Sequence, residues 1–327
     1  MNGFHRSGHG RPAATGSRPR RNRRIQSAVS RTLRLLVLIA CVGGPLAIAA
    51  PAANASTRSR ASALPVTPGS GYLALGDSVT FGYEEAQVVP APDYADASSL
   101  IGYPEMLAAE LHLKVANAAC PGETSASMLD PKALSNGCEN SPSNPTGGGY
   151  RTQHPLHVSY KGSQLSYATT YLKAHSNVRL VSLMIGANDV YLCVETTRDA
   201  CQSPTELAAV AAKLARNVGV ILSAIRNKAH YRGQLAIVNY YSPDYASAFD
   251  DAGSTLINTA VDKAAEPFGV EIADGYGELE AAALHSGGNT CLAGLLTQTG
   301  PPGTCGIHPS YAGQALLAQA LEKAIRL

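Results

Sequence analysis

Short apolar runs of strand length recur along this chain, and a stretch of helical period follows nearly every one. No other feature of the sequence narrows the fold as much. The strongest run spans residues 178–185, Val-Arg-Leu-Val-Ser-Leu-Met-Ile, and ends in Gly186-Ala187-Asn188-Asp189. Weaker runs lie at 72–75, 114–118, 234–239 and 270–273. Helical spacing appears at 104–113, 163–175, 204–226 and 251–268, with a further turn near 278–284. The helix from Pro204 carries Leu207, Val210, Leu214, Val218, Ile221, Leu222 and Ile225 as one apolar stripe, and Ser203 with Glu206 has capping-box spacing before it. A terminal helix is expected from Pro309, with Leu317, Leu321 and Ile325 inward. Parallel strands need crossovers, so this alternation predicts an α/β fold: a three-layer sandwich with a mainly parallel five-stranded sheet.

The N-terminus reads differently. Its first 55 residues hold nine arginines and no acid, then an apolar run over 35–50 interrupted by Gly43-Gly44-Pro45, then Ala53-Asn54-Ala55. This is the pattern of a secretory signal cut after Ala55. The alternative is a retained membrane anchor, which would need about 20 consecutive apolar residues. The expected organisation is therefore a signal at 1–55, a mobile leader at 56–70 and one domain at 71–327. Removing nine of the 26 basic residues leaves 17 against 24 acidic ones, so the exported chain would be acidic. That argues against a nucleic-acid partner.

Cysteine usage agrees with export. Beyond Cys41 the chain has six: Cys120, Cys138, Cys193, Cys201, Cys291 and Cys305. Six allow 15 pairings. Sequence neighbours are the expected partners, because each such pair encloses a short loop rich in Gly, Pro, Asn or Ser. No Cys-x-x-Cys occurs and His154 with His157 is an isolated pair, so no metal site is expected.

The run at 72–75 leads into Gly76-Asp77-Ser78, which would put a small hydroxyl at the carboxyl end of a strand. In open α/β sheets ligands bind at that end. Gly122 follows the second strand in the same way, Asn188 follows the third, and His308 precedes the terminal helix. Serine needs a base, and a neutral His308 at or near a helix N-cap would serve. The backbone amides of Ser78 and Gly122 and the side-chain amide of Asn188 could together hold an oxyanion. Singly, each has an ordinary reading as a turn or cap. Their order, each at the end of an element, is what points to acyl transfer.

These blocks, Gly76 to Gly82, Asn117 to Thr124, Gly186 to Asp189 and His308-Pro309, resemble the SGNH or GDSL hydrolases, in particular secreted, disulfide-bonded bacterial lipases and esterases. The resemblance implies a flavodoxin-like fold, Ser78 as nucleophile, Gly122 and Asn188 as oxyanion donors, His308 as base, and no cofactor. The chain departs from the family where an Asp usually stands three residues before the histidine. That position is Cys305, and no carboxylate lies between Glu280 and Glu322. The expected arrangement is thus a Ser-His dyad, or a triad completed by the main-chain carbonyl of Cys305. The expected function is a secreted, monomeric carboxylic-ester hydrolase acting on a small-molecule or lipid ester. The alternatives are a carbohydrate O-deacetylase and a non-catalytic binding module. The irregular segment 84–100 is long for a connection and stands where it could shape substrate entry.

Overall fold

The computed structural model describes residues 63–144 and 148–327. The expected signal segment and the first part of the leader lie outside the described residues. In chain order the main elements are β1 (Gly71–Gly76), α1 (Ser78–Phe81), α2 (Tyr103–Glu110), β2 (Lys114–Asn117), α3 (Tyr150–Gln153), α4 (Gln164–Ala174), β3 (Val178–Met184), α5 (Ala187–Thr196), α6 (Pro204–Ser223), β4 (Gln234–Val238), α7 (Ala248–Ala265), β5 (Glu271–Ala273), α8 (Gly275–Ala283), β6 (Leu296–Gln298), β7 (Cys305–Pro309) and α9 (Tyr311–Ala324).

β1 to β5 form one parallel sheet in the order β2-β1-β3-β4-β5. The first crossover steps one way and the later ones step the other. Right-handed crossovers therefore place α2 on one face and α4, α6 and α7 on the opposite one. α9 returns to pack against α2 and α8, completing three layers. β1 and β3 are buried on both faces, which is why they read as nearly unbroken apolar runs. β1 lies where the winding reverses, so the crevice opens beyond the ends of β1 and β3.

Expected strand bounds match within two residues. α6 runs on through a π-helical turn, Ala224–Lys228, and the whole stretch is long and apolar enough to cross a membrane. Leu214, Val218, Ile221 and Leu222 are fully buried against the sheet, so it serves as a core helix. Ser203 does stand at its N-cap, but without a side-chain hydrogen bond, so the expected capping box is not formed.

Two other expectations change. Residues 63–70 of the leader are held in place: Val66 is buried and its N–H donates to the Arg326 carbonyl (2.8 Å), while Gln234 Nε2 donates to the Leu64 carbonyl (3.0 Å). The loop expected between Cys291 and Cys305 contains β6, which pairs antiparallel with β7. The three disulfides join Cys120 with Cys138, Cys193 with Cys201 and Cys291 with Cys305, the sequence-neighbour pairing.

Candidate active site

β1 delivers Gly76-Asp77-Ser78 to the crevice. Asp77 caps α1, accepting the Val79 N–H at 3.1 Å, and Ser78 is the first residue of that helix. Ser78 Oγ lies 2.9 Å from His308 Nε2. The opposite ring nitrogen, Nδ1, lies 2.8 Å from Glu85 Oε1. Two hundred and more residues of chain separate the histidine from both of its partners, yet the three side chains form one line.

Glu85 corrects the expected role of Cys305. Cys305 and His308 lie on the same extended strand, and at about 3.3 Å of rise per residue three residues span about 10 Å. The Cys305 carbonyl cannot reach the ring from there. Glu85 enters from the segment after α1 and also accepts the Ile307 N–H (2.7 Å), the His308 N–H (3.2 Å) and the Thr297 hydroxyl. Gly306 makes this possible, because a Cβ there would collide with the carboxylate. Burial works against the charge of Glu85. The hydrogen bond and charge of His308, with the Thr297 hydroxyl, outweigh that and hold the carboxyl at about 2.

The placement of His308 differs in a second way. Ser310 is the N-cap of α9, its hydroxyl accepting the Gly313 N–H, and His308 lies two residues upstream in β7. A carboxylate, rather than a helix terminus, thus faces the ring.

Asn188, in the first turn of α5, is fixed at both ends of its amide. Nδ2 donates to Asp77 Oδ2 (3.3 Å) and Oδ1 accepts from Asn136 Nδ2 (3.0 Å), which leaves one Nδ2 proton free of Asp77. Gly122 sits at φ 84° with its carbonyl accepting the Asn136 N–H (2.8 Å). A side chain there would strike the Asn136 backbone, so this loop can close only over glycine. The Cys120–Cys138 disulfide spans the same turn. Ser78, Gly122, Asn188 and His308 all line one cleft of about 670 Å³. The structure thus brings the four residues picked from the sequence together.

Several supporting residues, some of them inside the motifs themselves, have roles that the sequence does not reveal. Asp77 is fully buried and also accepts from the Tyr240 hydroxyl. Burial pushes it up to about 6, against the pull of Tyr240, the Val79 N–H and His308. Asp189 accepts both the N–H (2.8 Å) and the hydroxyl (2.6 Å) of Ser125, tying the Asn188 turn to the Gly122 loop. Gln164 bonds both backbone groups of Gly76 and reaches Glu123, whose carboxyl is raised by burial and by Glu139. Two groupings of sulfur and carboxylate, Cys120 with Glu123 and Cys138, and Cys193 with Cys201 and Glu206, have the compactness of metal sites. Their sulfurs are committed to disulfides and cannot act as thiolate ligands.

The sequence of residues 74–316 matches the model of the GDSL-like lipase/acylhydrolase family. No curated protein matches the chain. Among solved structures, similarity extends to a lipase from a goat rumen metagenome (14% identity, 78% of this chain and 96% of that one, TM-score 0.49). It extends also to phospholipase A1 from Streptomyces albidoflavus NA297 (18%, 78% and 99%, 0.48) and to an acetyl xylan esterase from Geobacillus stearothermophilus (16%, 80% and 96%, 0.47).

Proposed function

The chain belongs to the GDSL-like lipase/acylhydrolase family and is an ester-bond hydrolase, and we propose that it cleaves carboxylic esters through an acyl-enzyme on Ser78. The line Ser78–His308–Glu85 is the observation that carries this reading. His308 Nε2 takes the Ser78 proton as Oγ attacks the carbonyl carbon. The carbonyl oxygen becomes an oxyanion facing the amides of Ser78, Gly122 and Asn188. As the tetrahedral intermediate collapses, the ester C–O bond breaks and His308 returns the proton to the departing alcohol. Water then repeats the sequence on the acyl-enzyme, releasing the acid and restoring Ser78. Glu85 accepts from Nδ1, so the Nε2 lone pair faces Ser78, and its charge stabilises the imidazolium that forms in each half.

Apolar lining favours a lipase or esterase over a carbohydrate deacetylase, since Val190, Val194, Leu207, Leu256 and Ile257 offer contact to an acyl chain that an acetyl group is too short to use. Export to an oxidising compartment is part of the same proposal. Three disulfides and the arginine-rich, then apolar, N-terminal stretch support it.

The test is covalent labelling of Ser78 by a serine-directed organophosphate, with loss of ester hydrolysis in parallel. Ser78→Ala should be folded, unlabelled and inactive. A labelled site elsewhere, or turnover retained in that variant, would end the proposal.

A further inference from the structure

Past Asn188 the cleft continues as an apolar groove between α5 and α7. Val190, Tyr191 and Val194, at positions i, i+1 and i+4, form one wall. Gly253, Leu256 and Ile257, at i, i+3 and i+4, form the other. Tyr191 and Val194 remain 37% and 40% exposed, so the protein itself leaves this wall uncovered.

Gly253 is the unusual member. It lies inside α7, where glycine is the least favoured residue after proline. Its backbone does not require glycine, being helical, and a Cβ built there meets no atom within 4 Å. The space a side chain would take is instead part of the groove.

Chemistry sets the direction of the substrate. His308 must protonate the departing alcohol, so the alcohol lies on the histidine's side, beside Tyr83 and Ile307. His308 arrives on the hairpin leading into α9, which packs on α2, whereas α7 packs on α6 at the opposite face. The acyl chain then runs away from His308 towards α5 and α7.

We propose that the groove between α5 and α7 is the acyl-chain subsite, and that Gly253 makes it deep enough for medium and long chains. This rests on the ester-hydrolase reading above. An acetyl group would end near the oxyanion donors and leave both walls unused. Every further methylene that enters is worth about fourfold in binding.

The experiment compares kcat/KM of the full chain on p-nitrophenyl esters from acetate to palmitate, for wild type, Gly253→Leu and Val194→Glu. Wild type should favour chains longer than butyrate. Gly253→Leu fills the open space and should lower the long-to-short ratio about tenfold or more, the loss of room for about two methylenes. Val194→Glu, on an exposed helix position, should lower the same ratio by placing charge on the opposite wall, and it serves if Gly253→Leu does not fold. Melting temperature checks each variant. A wild-type profile that peaks at acetate, or an unchanged ratio in a folded variant, overturns the subsite. Failure of wild type on every ester would instead sink the hydrolytic reading.

Discussion

Glu85 holds His308 from the side away from Ser78, with its Oε1 2.8 Å from Nδ1 and a second contact to the strand that carries the histidine. One carboxylate therefore orients both the ring and its backbone. Glu85→Gln removes the charge and allows the amide to offer a donor to Nδ1, which favours the wrong tautomer. Turnover is expected to fall about 10² to 10⁴-fold with little change in KM, by analogy with the cost of a misplaced tautomer in a serine protease triad. Thr297→Val, which removes the hydroxyl shared between Glu85 and the His308 carbonyl but leaves the carboxylate in place, should have a much smaller effect. Full turnover in Glu85→Gln, measured by initial rates at saturating ester, would show that His308 is oriented by another group.

Stability should respond to pH through two carboxylates of opposite sign. Glu85 is held at about 2, below its unfolded value of about 4.3, so its contribution is present above about pH 4 and lost as pH falls through 2. Asp77 is raised to about 6 from an unfolded value of about 3.9. The folded state then binds a proton that the unfolded state has released, and stability falls as pH rises from about 4 to about 6. Melting temperatures of Asp77→Asn should lack that decline, and those of Glu85→Gln should lack the acid-side loss. Curves parallel to wild type in both windows would contradict these assignments.

Asn188→Ala removes a donor whose orientation Asp77 and Asn136 fix in advance. A preorganised donor acts mainly on the transition state, so turnover should drop about 10² to 10³-fold while KM stays close to wild type. A change confined to KM would assign Asn188 to ground-state binding.

How much of this was legible in the sequence depends on how local each signal is. β1 and β3 are buried on both faces, and that alone writes a continuous apolar run. Ser78 and Asn188 sit just past such runs and Gly122 follows the weaker β2, so a strand-by-strand reading leads to them. Glu85 has no comparable marker. It sits beside Glu84 in a segment with no period, and only folding carries it 223 residues along the chain to His308. β6 and β7 are hidden for a related reason: three residues, and five that include Gly306 and Pro309, are too short to show alternation. From sequence the hairpin therefore reads as loop, which puts His308 at a helix cap and gives Cys305 a role its strand geometry forbids.

The same hairpin gives the last prediction. β7 carries His308, and two restraints hold it: the Cys291–Cys305 disulfide at its first residue, next to the hairpin turn, and the Glu85 carboxylate on the Ile307 and His308 N–H groups. They act on different states. The disulfide closes a loop with a sequence separation of 14, and in the chain-entropy model a loop of about 15 residues is worth roughly 3 kcal/mol through the unfolded state. Glu85 acts in the folded state, at the ring itself. Cys291→Ser with Cys305→Ser should therefore lower unfolding free energy by about 2 to 4 kcal/mol while reducing turnover less than Glu85→Gln does. Losing both restraints frees the hairpin at two points, so the triple variant should lose more turnover than the product of the separate losses. Urea unfolding and initial rates on the same preparations measure both quantities. If the disulfide variant loses more turnover than Glu85→Gln, the disulfide rather than the carboxylate positions His308, and the assignment of Glu85 would have to be withdrawn.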